Sequence, residues 1–234
     1  MQLHPDKHNW PEITRTLQQQ GFVIVPDVLS DAECEQLKND YTITSHYRKV
    51  IHMERYRFGK GEYKYFSYPL PPIIQQLRES IYEKIAPVAN TWMQQLQLSV
   101  HYPETHAEMK EICHQQQQQL PTVLILKYEA GGFNTLHQDL YGEIFFPIQM
   151  VFMLDQIGED YEGGEFVITE QIPRAQSKAN VLKPGKGAML LFATNYRPVK
   201  GTHGFYRVNM KHGVSPLHSG QRYSLGVIFH DALT

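Results

Sequence analysis

The sequence predicts a mainly β protein, a jelly-roll core with helices at its N-terminal end. Three observations lead there. After Leu120, short apolar runs recur between glycine, proline and asparagine breaks, the pattern of antiparallel strands rather than of βαβ units. Before Leu120, one long segment repeats apolar residues every three or four positions, as a helix with one buried face does. The length of 234 residues, with 41% apolar and 20% charged, suffices for one sizeable core and excludes disordered, collagen-like and coiled-coil chains.

The elements follow in order. Gly21-Phe-Val-Ile-Val-Pro26 is a β-branched run closed by proline and predicts a strand. Ser30-Asp-Ala-Glu33 has the spacing of a capping box and predicts a helix to about Tyr41. Residues 42–70, rich in Tyr, Arg and Lys with weak periodicity, read as loop with short strands. Pro71 and Pro72 open the long helix, whose apolar face runs through Ile73, Ile74, Leu77, Ile81, Ile85, Val88, Trp92 and Leu96. Gln115 to Gln119 reads as a flexible surface loop. Strands are predicted at 122–128, 144–154, 163–168, 188–193, 205–210 and 222–229, with a turn at Gly131-Gly132. The whole reads as one domain, with 1–119 as helical and strand support and 120–234 as the jelly-roll core that carries the chemistry.

Composition narrows the classes of function. Two cysteines, Cys34 and Cys113, exclude a disulfide scaffold and a cysteine zinc site, and suit a cytoplasmic location. No apolar block follows the first residues, and the clean apolar stretch Ala188 to Ala193 is far too short for a bilayer, so neither a secretory signal nor a membrane partner is expected. The net charge of -2 hides an asymmetry. From Gln171 onward there are nine Lys and Arg and one acid, Asp231, whereas the preceding 170 residues are strongly acidic. Such a split suits an anionic ligand or partner, although charge partition across surface loops explains it equally well.

The chemistry concentrates in four positions. In extended chain, residues two apart share a face, so the imidazole of His137 and the carboxylate of Asp139 can converge on one ion. A decoy, His4-Pro5-Asp6, has no strand behind it and is assigned no role. His212 lies far downstream; alone it would read as a buried structural histidine. With His137 and Asp139 it completes the two-His, one-carboxylate facial triad of non-heme iron oxygenases. Arg222, ten residues further, offers a planar fork for a carboxylate, and Ser224 shares its strand face. His203, His218 and His230 read as surface or structural, and Phe145, Phe146, Phe152 and Phe192 as core. Lys127 and Asn134 flank the site, as substrate contacts or as solvated loop residues.

These motifs resemble the Fe(II)- and 2-oxoglutarate-dependent dioxygenase superfamily, in its prolyl-hydroxylase-like part. The resemblance rests on His137-Gln-Asp139, the strand Gly163-Gly-Glu-Phe166, the distal His212 and Arg222-Tyr-Ser224, over roughly residues 120–230. The runs His137-Gln-Asp-Leu-Tyr-Gly142, Gly163 to Gln171, Gly220 to Gly226 and Phe229-His-Asp231 are similar to a bacterial family of oxygenases for oxidative demethylation of damaged DNA. The resemblance implies a double-stranded β-helix, with Fe(II) on His137, Asp139 and His212. It implies 2-oxoglutarate and O2 as co-substrates, hydroxylation of a C–H bond, and release of succinate and CO2. It gives Arg222 and Ser224 the far carboxylate of 2-oxoglutarate. Tyr128 matches a strand tyrosine that hydrogen-bonds 2-oxoglutarate, and an ordinary core tyrosine is the alternative reading.

The substrate is left open at this level. Alkylated DNA needs a positive groove, and the pI near 6.6 does not mark a committed DNA binder, so a protein side chain or small acidic metabolite is the alternative. A degenerate jelly roll used as a binding module is the non-enzymatic one. The sequence leaves the oligomeric state open too. Asn195 to Arg207, which interleaves cations and aromatics without an acid, is expected to form a substrate-facing hairpin. In it Arg197, Lys200 and Arg207 would grip anions and Tyr196 and Tyr206 would stack; a solvated hairpin is the alternative.

Overall fold

The computed structural model describes residues 7–172 and 174–234; the His4-Pro5-Asp6 decoy lies outside them. Four helices and fourteen strands are formed among the described residues. In chain order they are α1 (Trp10–Gln20), β1 (Phe22–Val25), α2 (Asp31–Asp40), β2 (Tyr47–His52), β3 (Gly59–Lys60), β4 (Glu62–Phe66), α3 (Pro72–Gln95) and α4 (His106–Gln115). There follow β5 (Leu124–Glu129), β6 (Phe133–His137), β7 (Ile148–Met153), β8 (Tyr161–Gly163), β9 (Phe166–Gln171) and β10 (Lys178–Leu182). The last four are β11 (Met189–Ala193), β12 (Tyr196–Gly201), β13 (Gly204–Val214) and β14 (Leu217–Val227). No helix among the described residues is long and apolar enough to cross a membrane.

Two antiparallel sheets build the jelly roll. The larger runs β1-β11-β7-β14-β5-β4-β2, with β8 added to β14. The smaller runs β10-β9-β13-β6-β3, with β12 added to β13. The N-terminal part does more than support this core. β1 pairs with β11, β4 with β5 and β3 with β6, so residues 22–66 complete edges of both sheets. Val23 and Val25 explain the first of these, since both are buried in the main core.

The capping box of α2 is present, with Ser30 and Glu33 satisfying each other's backbone N–H groups. The predicted long helix is α3, and its apolar face is buried against Phe146 and Phe229 through Tyr82. Two helices were missing from the sequence reading. Asn9 caps α1 ahead of Pro11, and Thr105 with Glu108 makes a second capping box for α4.

One expectation is corrected. The glutamine run is not a free surface loop: α4 extends to Gln115, and Gln118 is 1% exposed. Its amide donates to the carbonyls of Ile144 (2.8 Å) and Asp231 (2.7 Å) and accepts from the Ile144 N–H at 2.8 Å. Composition hid this, because a buried glutamine needs only three backbone groups placed around it.

The registers position the site. β13 sets His212 opposite His137 in the smaller sheet. β14 sets Arg222 opposite Tyr128 in the larger one, with Ser224 between β5 and β7. Both pairs line one cavity of about 230 Å³ between the sheets.

Candidate active site

His137 ends β6, Asp139 follows it, and His212 comes from the paired strand β13. The potential ligand atoms of the three all lie within 4.8 Å of one another. His137 Nε2 is 3.6 Å from Asp139 Oδ1, and His212 Nε2 is 3.2 Å from Asp139 Oδ2. Donors on one octahedral face, bonded at about 2.1 Å, stand about 3 Å apart, so this set fits a single hard or borderline cation.

The surroundings hold each donor in its ligating form. His137 Nδ1 donates to the Thr135 carbonyl at 2.7 Å, which leaves Nε2 as the free lone pair. Asp139 accepts from Tyr141 Oη and from Gln149 Nε2, each at 2.9 Å. Burial works against the Asp139 charge, but the His137 and His212 imidazoles and the Gln149 amide outweigh it and hold the carboxyl well below the usual carboxylate range. Burial, then the neighbouring His137, pushes the His212 pKa down, toward the neutral ring that metal binding requires, while Asp139 opposes this. Phe166 stacks on that ring at 5.7 Å and Phe192 meets it edge-on at 4.8 Å.

The opposite wall carries a buried cation. Arg222 is 1% exposed, and no carboxylate pairs with it among the described residues. Nη1 donates to Ser224 Oγ at 3.2 Å, Nη2 faces Met153 Sδ at 3.4 Å, and Nε has no hydrogen-bond partner. Tyr128 and Tyr161 present their rings to the guanidinium at 5.5 and 6.0 Å. The Tyr128 hydroxyl is buried without a hydrogen bond, and burial, opposed by Arg222, raises its pKa to about 12. A buried guanidinium without an acid, beside an unsatisfied phenol, fits the far carboxylate of an anionic co-substrate.

The structure thus brings His137, Asp139, His212, Arg222, Ser224 and Tyr128 to one cavity. It also brings Gln149, which sequence reasoning missed. The signal was there: Gln149 is the lone polar residue of the wholly buried strand Ile148-Gln-Met-Val-Phe-Met153. Phe192, read as core, both packs in the core and lines the cavity; Asn134, one of the flanking residues, lines the cavity too.

The predicted substrate residues are elsewhere. Asn195 to Arg207 does form a hairpin, through β12 and β13, but Tyr196, Arg197, Lys200 and Arg207 do not line the cavity. Arg197 is buried, paired with Glu170 at 2.8 Å and donating to the Gln19 carbonyl at 3.2 Å. Tyr196 is buried edge-on against Phe145, and Arg207 lies over its outer face at 4.2 Å. Lys200 is exposed at the hairpin end. The segment has no acid of its own, but β9 supplies one from outside it, which counting within the segment overlooks. Lys127 is paired with Glu129 at 2.8 Å. His203 and His218 are exposed, and His230 is a buried acceptor for the Phe146 N–H.

Comparisons with known proteins agree with this geometry. Residues 61–232 match the model of the family Oxygenase-NA, described as "Oxygenase, catalysing oxidative methylation of damaged DNA". Two Mycobacterium tuberculosis relatives, the uncharacterized proteins MT2286 (strain CDC 1551 / Oshkosh) and Rv2227 (strain ATCC 25618 / H37Rv), are each 40% identical over 167 residues, 71% of this chain and 72% of theirs. A Pseudomonas putida prolyl-4-hydroxylase shares the fold with a TM-score of 0.58 at 12% identity, covering 95% of this chain and 98% of its own. A Burkholderia pseudomallei oxidoreductase of the 2OG-Fe(II) oxygenase family does so at 0.55 and 13%, covering 97% and 94%. The fold is thus shared with two oxygenases, and the triad is a donor set that can hold one metal ion. The chain belongs to the Oxygenase-NA family.

Proposed function

We propose that the protein oxidises N-methyl groups on damaged nucleic-acid bases, with His137, Asp139 and His212 holding Fe(II) and Arg222, Ser224 and Tyr128 holding 2-oxoglutarate. The observation that carries the co-substrate assignment is the buried, acid-free Arg222 in the cavity that the triad also lines. The family description supports the choice of damaged DNA. Oxidation of an N-methyl C–H bond gives a hydroxymethyl group that leaves as formaldehyde, so the chemistry removes a methyl group.

Iron bound at the triad, with 2-oxoglutarate and O2, supplies the oxidising power to insert one oxygen atom into a C–H bond. The overall exchange balances: N–CH3, O2 and 2-oxoglutarate give N–H, formaldehyde, succinate and CO2. The chain's residues supply position and charge. Arg222 would hold the far carboxylate of 2-oxoglutarate through its guanidinium, and Ser224 and Tyr128 would add hydroxyl donors. Asp139 stays ionised throughout, steadied by Tyr141 and Gln149. Phe166 and Phe192 shield His212 from water.

The test is incubation of the purified chain with Fe(II), 2-oxoglutarate and single-stranded oligonucleotides carrying one N-methylated base, with proline peptides and small acids in parallel. Formaldehyde and succinate should form in equal amounts from the methylated oligonucleotide. Substrate-stimulated succinate from peptide or metabolite alone would overturn the nucleic-acid assignment.

A further inference from the structure

We propose that residues 55–60 form the lip that grips the nucleic-acid strand, with Tyr56 and Phe58 stacking on bases and Arg55, Arg57 and Lys60 meeting phosphates. This rests on the reading of the site as one for methylated bases, and it replaces the β12–β13 hairpin as the substrate contact. The segment reads Arg55-Tyr-Arg-Phe-Gly-Lys60 and holds no acid.

Its place fits the role. Phe58 lines the cavity and is 45% exposed, so its ring reaches from the site to solvent. Tyr56 stacks on it, 5.4 Å between centroids with planes 17° apart, and is 53% exposed. Two parallel rings facing water are poorly explained by the core, which they do not join. Stepped out from a cavity, they make a platform of the kind single-stranded nucleic acid uses. Three acids stand close by: exposed Glu54 directly precedes the segment without an ion pair to Arg55 or Arg57, Glu129 is paired with Lys127, and Glu62 is engaged elsewhere. Glu62 is engaged with His52 at 3.3 Å and Lys64 at 3.6 Å, and neither Arg55 nor Arg57 has an ion pair among the described residues. Lys60 Nζ donates to the Ala130 carbonyl at 3.3 Å and feels the charge of Glu129, with no ion pair closer than 4 Å among the described residues.

The lip is fixed to the metal site through its backbone. The Phe58 carbonyl accepts from both the N–H and the hydroxyl of Thr135, each at 2.8 Å. Thr135 in turn accepts from His137 Nδ1. A Cβ at Gly59 would stand 2.1 Å from the Phe133 carbonyl oxygen, so only glycine lets β3 lie this close to β6. A base stacked on this step is therefore registered against the iron ligand by one continuous chain of hydrogen bonds. Planar rings spaced by anions match what unpaired guanidiniums beside stacked aromatics recognise.

The experiment measures binding of a fluorescent 12-mer of thymidine to the full chain across a salt series. Removing two phosphate contacts with Arg55→Ala and Arg57→Ala should lower the steepness of log affinity against log salt by about 1.4. Tyr56→Ala should weaken binding about tenfold, and Tyr56→Phe should restore it. Arg174→Ala with Lys178→Ala, cations near the far edge strand β10, should leave the slope unchanged. Thermal midpoints of all variants should equal that of the parent, since the residues are exposed. Formaldehyde release from methylated oligonucleotide by the parent, with lip variants binding as tightly as it does, overturns the lip and leaves the function. Release from peptide alone overturns both.

Discussion

Replacing Arg222 by Met should separate the cost of the site from its use. The guanidinium is buried, has no acid among the described residues, and leaves Nε without a partner. Met keeps the length of the chain and its contact with Met153 and Tyr128 while removing the charge. Two charge-assisted hydrogen bonds to the far carboxylate of 2-oxoglutarate are worth about 3–5 kcal/mol in a buried setting. The dissociation constant should therefore rise by roughly two to three and a half orders of magnitude. The ligand-free chain should move the other way. Exchange of buried ionic groups for well-packed apolar ones stabilises by up to about 1–4 kcal/mol even where the ions are paired, and Arg222 has no acid to offset its burial. At about 2–4 °C per kcal/mol for a chain of this size, the melting temperature should rise by several degrees. Calorimetric titration of 2-oxoglutarate in the presence of Mn(II), and thermal melting without ligand, read the two effects. An unchanged dissociation constant, or a ligand-free variant that melts below the parent, would refute the reasoning.

Three further outcomes follow from other parts of the fold. Gln149→Leu removes the amide that holds Asp139 and should weaken metal affinity about 10- to 100-fold while the fold persists; unchanged affinity would remove Gln149 from the site. Gln118→Ala strands the Ile144 carbonyl and N–H and the Asp231 carbonyl and should cost about 2–4 kcal/mol in denaturant unfolding, against nearly nothing for the exposed Gln117. Burial, reinforced by the Arg78 charge, lowers the pKa of His106 and of His230 to about 3. Their unfolded forms take up protons near pH 6.5, so the unfolded state binds more protons below that. Stability should fall by about 1.4 kcal/mol per pH unit per histidine from pH 6.5 down to about 3, and be flat in this respect above 6.5. A denaturant midpoint unchanged between pH 7 and 5 would contradict this.

The legible part of the sequence was what local pattern encodes. Strand breaks after Leu120 marked the jelly roll, and the Ser30 capping box and the apolar face of α3 marked their helices. His137, Asp139, His212 and Arg222 could be named because metal and carboxylate chemistry restricts residue type and spacing. What stayed hidden depends on partners distant in sequence. Arg197 read as a free cation until β9 brought Glu170 to it. Gln118 read as solvated until Ile144 and Asp231 closed around it. The lip at 55–60 lay inside a stretch whose weak periodicity carried no element signal. Its stacked rings became visible only when β3 placed them beside β6.

The account stands most directly on the triad as a metal site. Anaerobic equilibrium dialysis of the full chain against Fe(II), with 2-oxoglutarate present, measures it without any substrate. One iron per chain is expected for the parent and none above background for Asp139→Ala or His212→Ala, with all three proteins folded by circular dichroism. Iron retained in full by folded Asp139→Ala and His212→Ala would contradict the assignment.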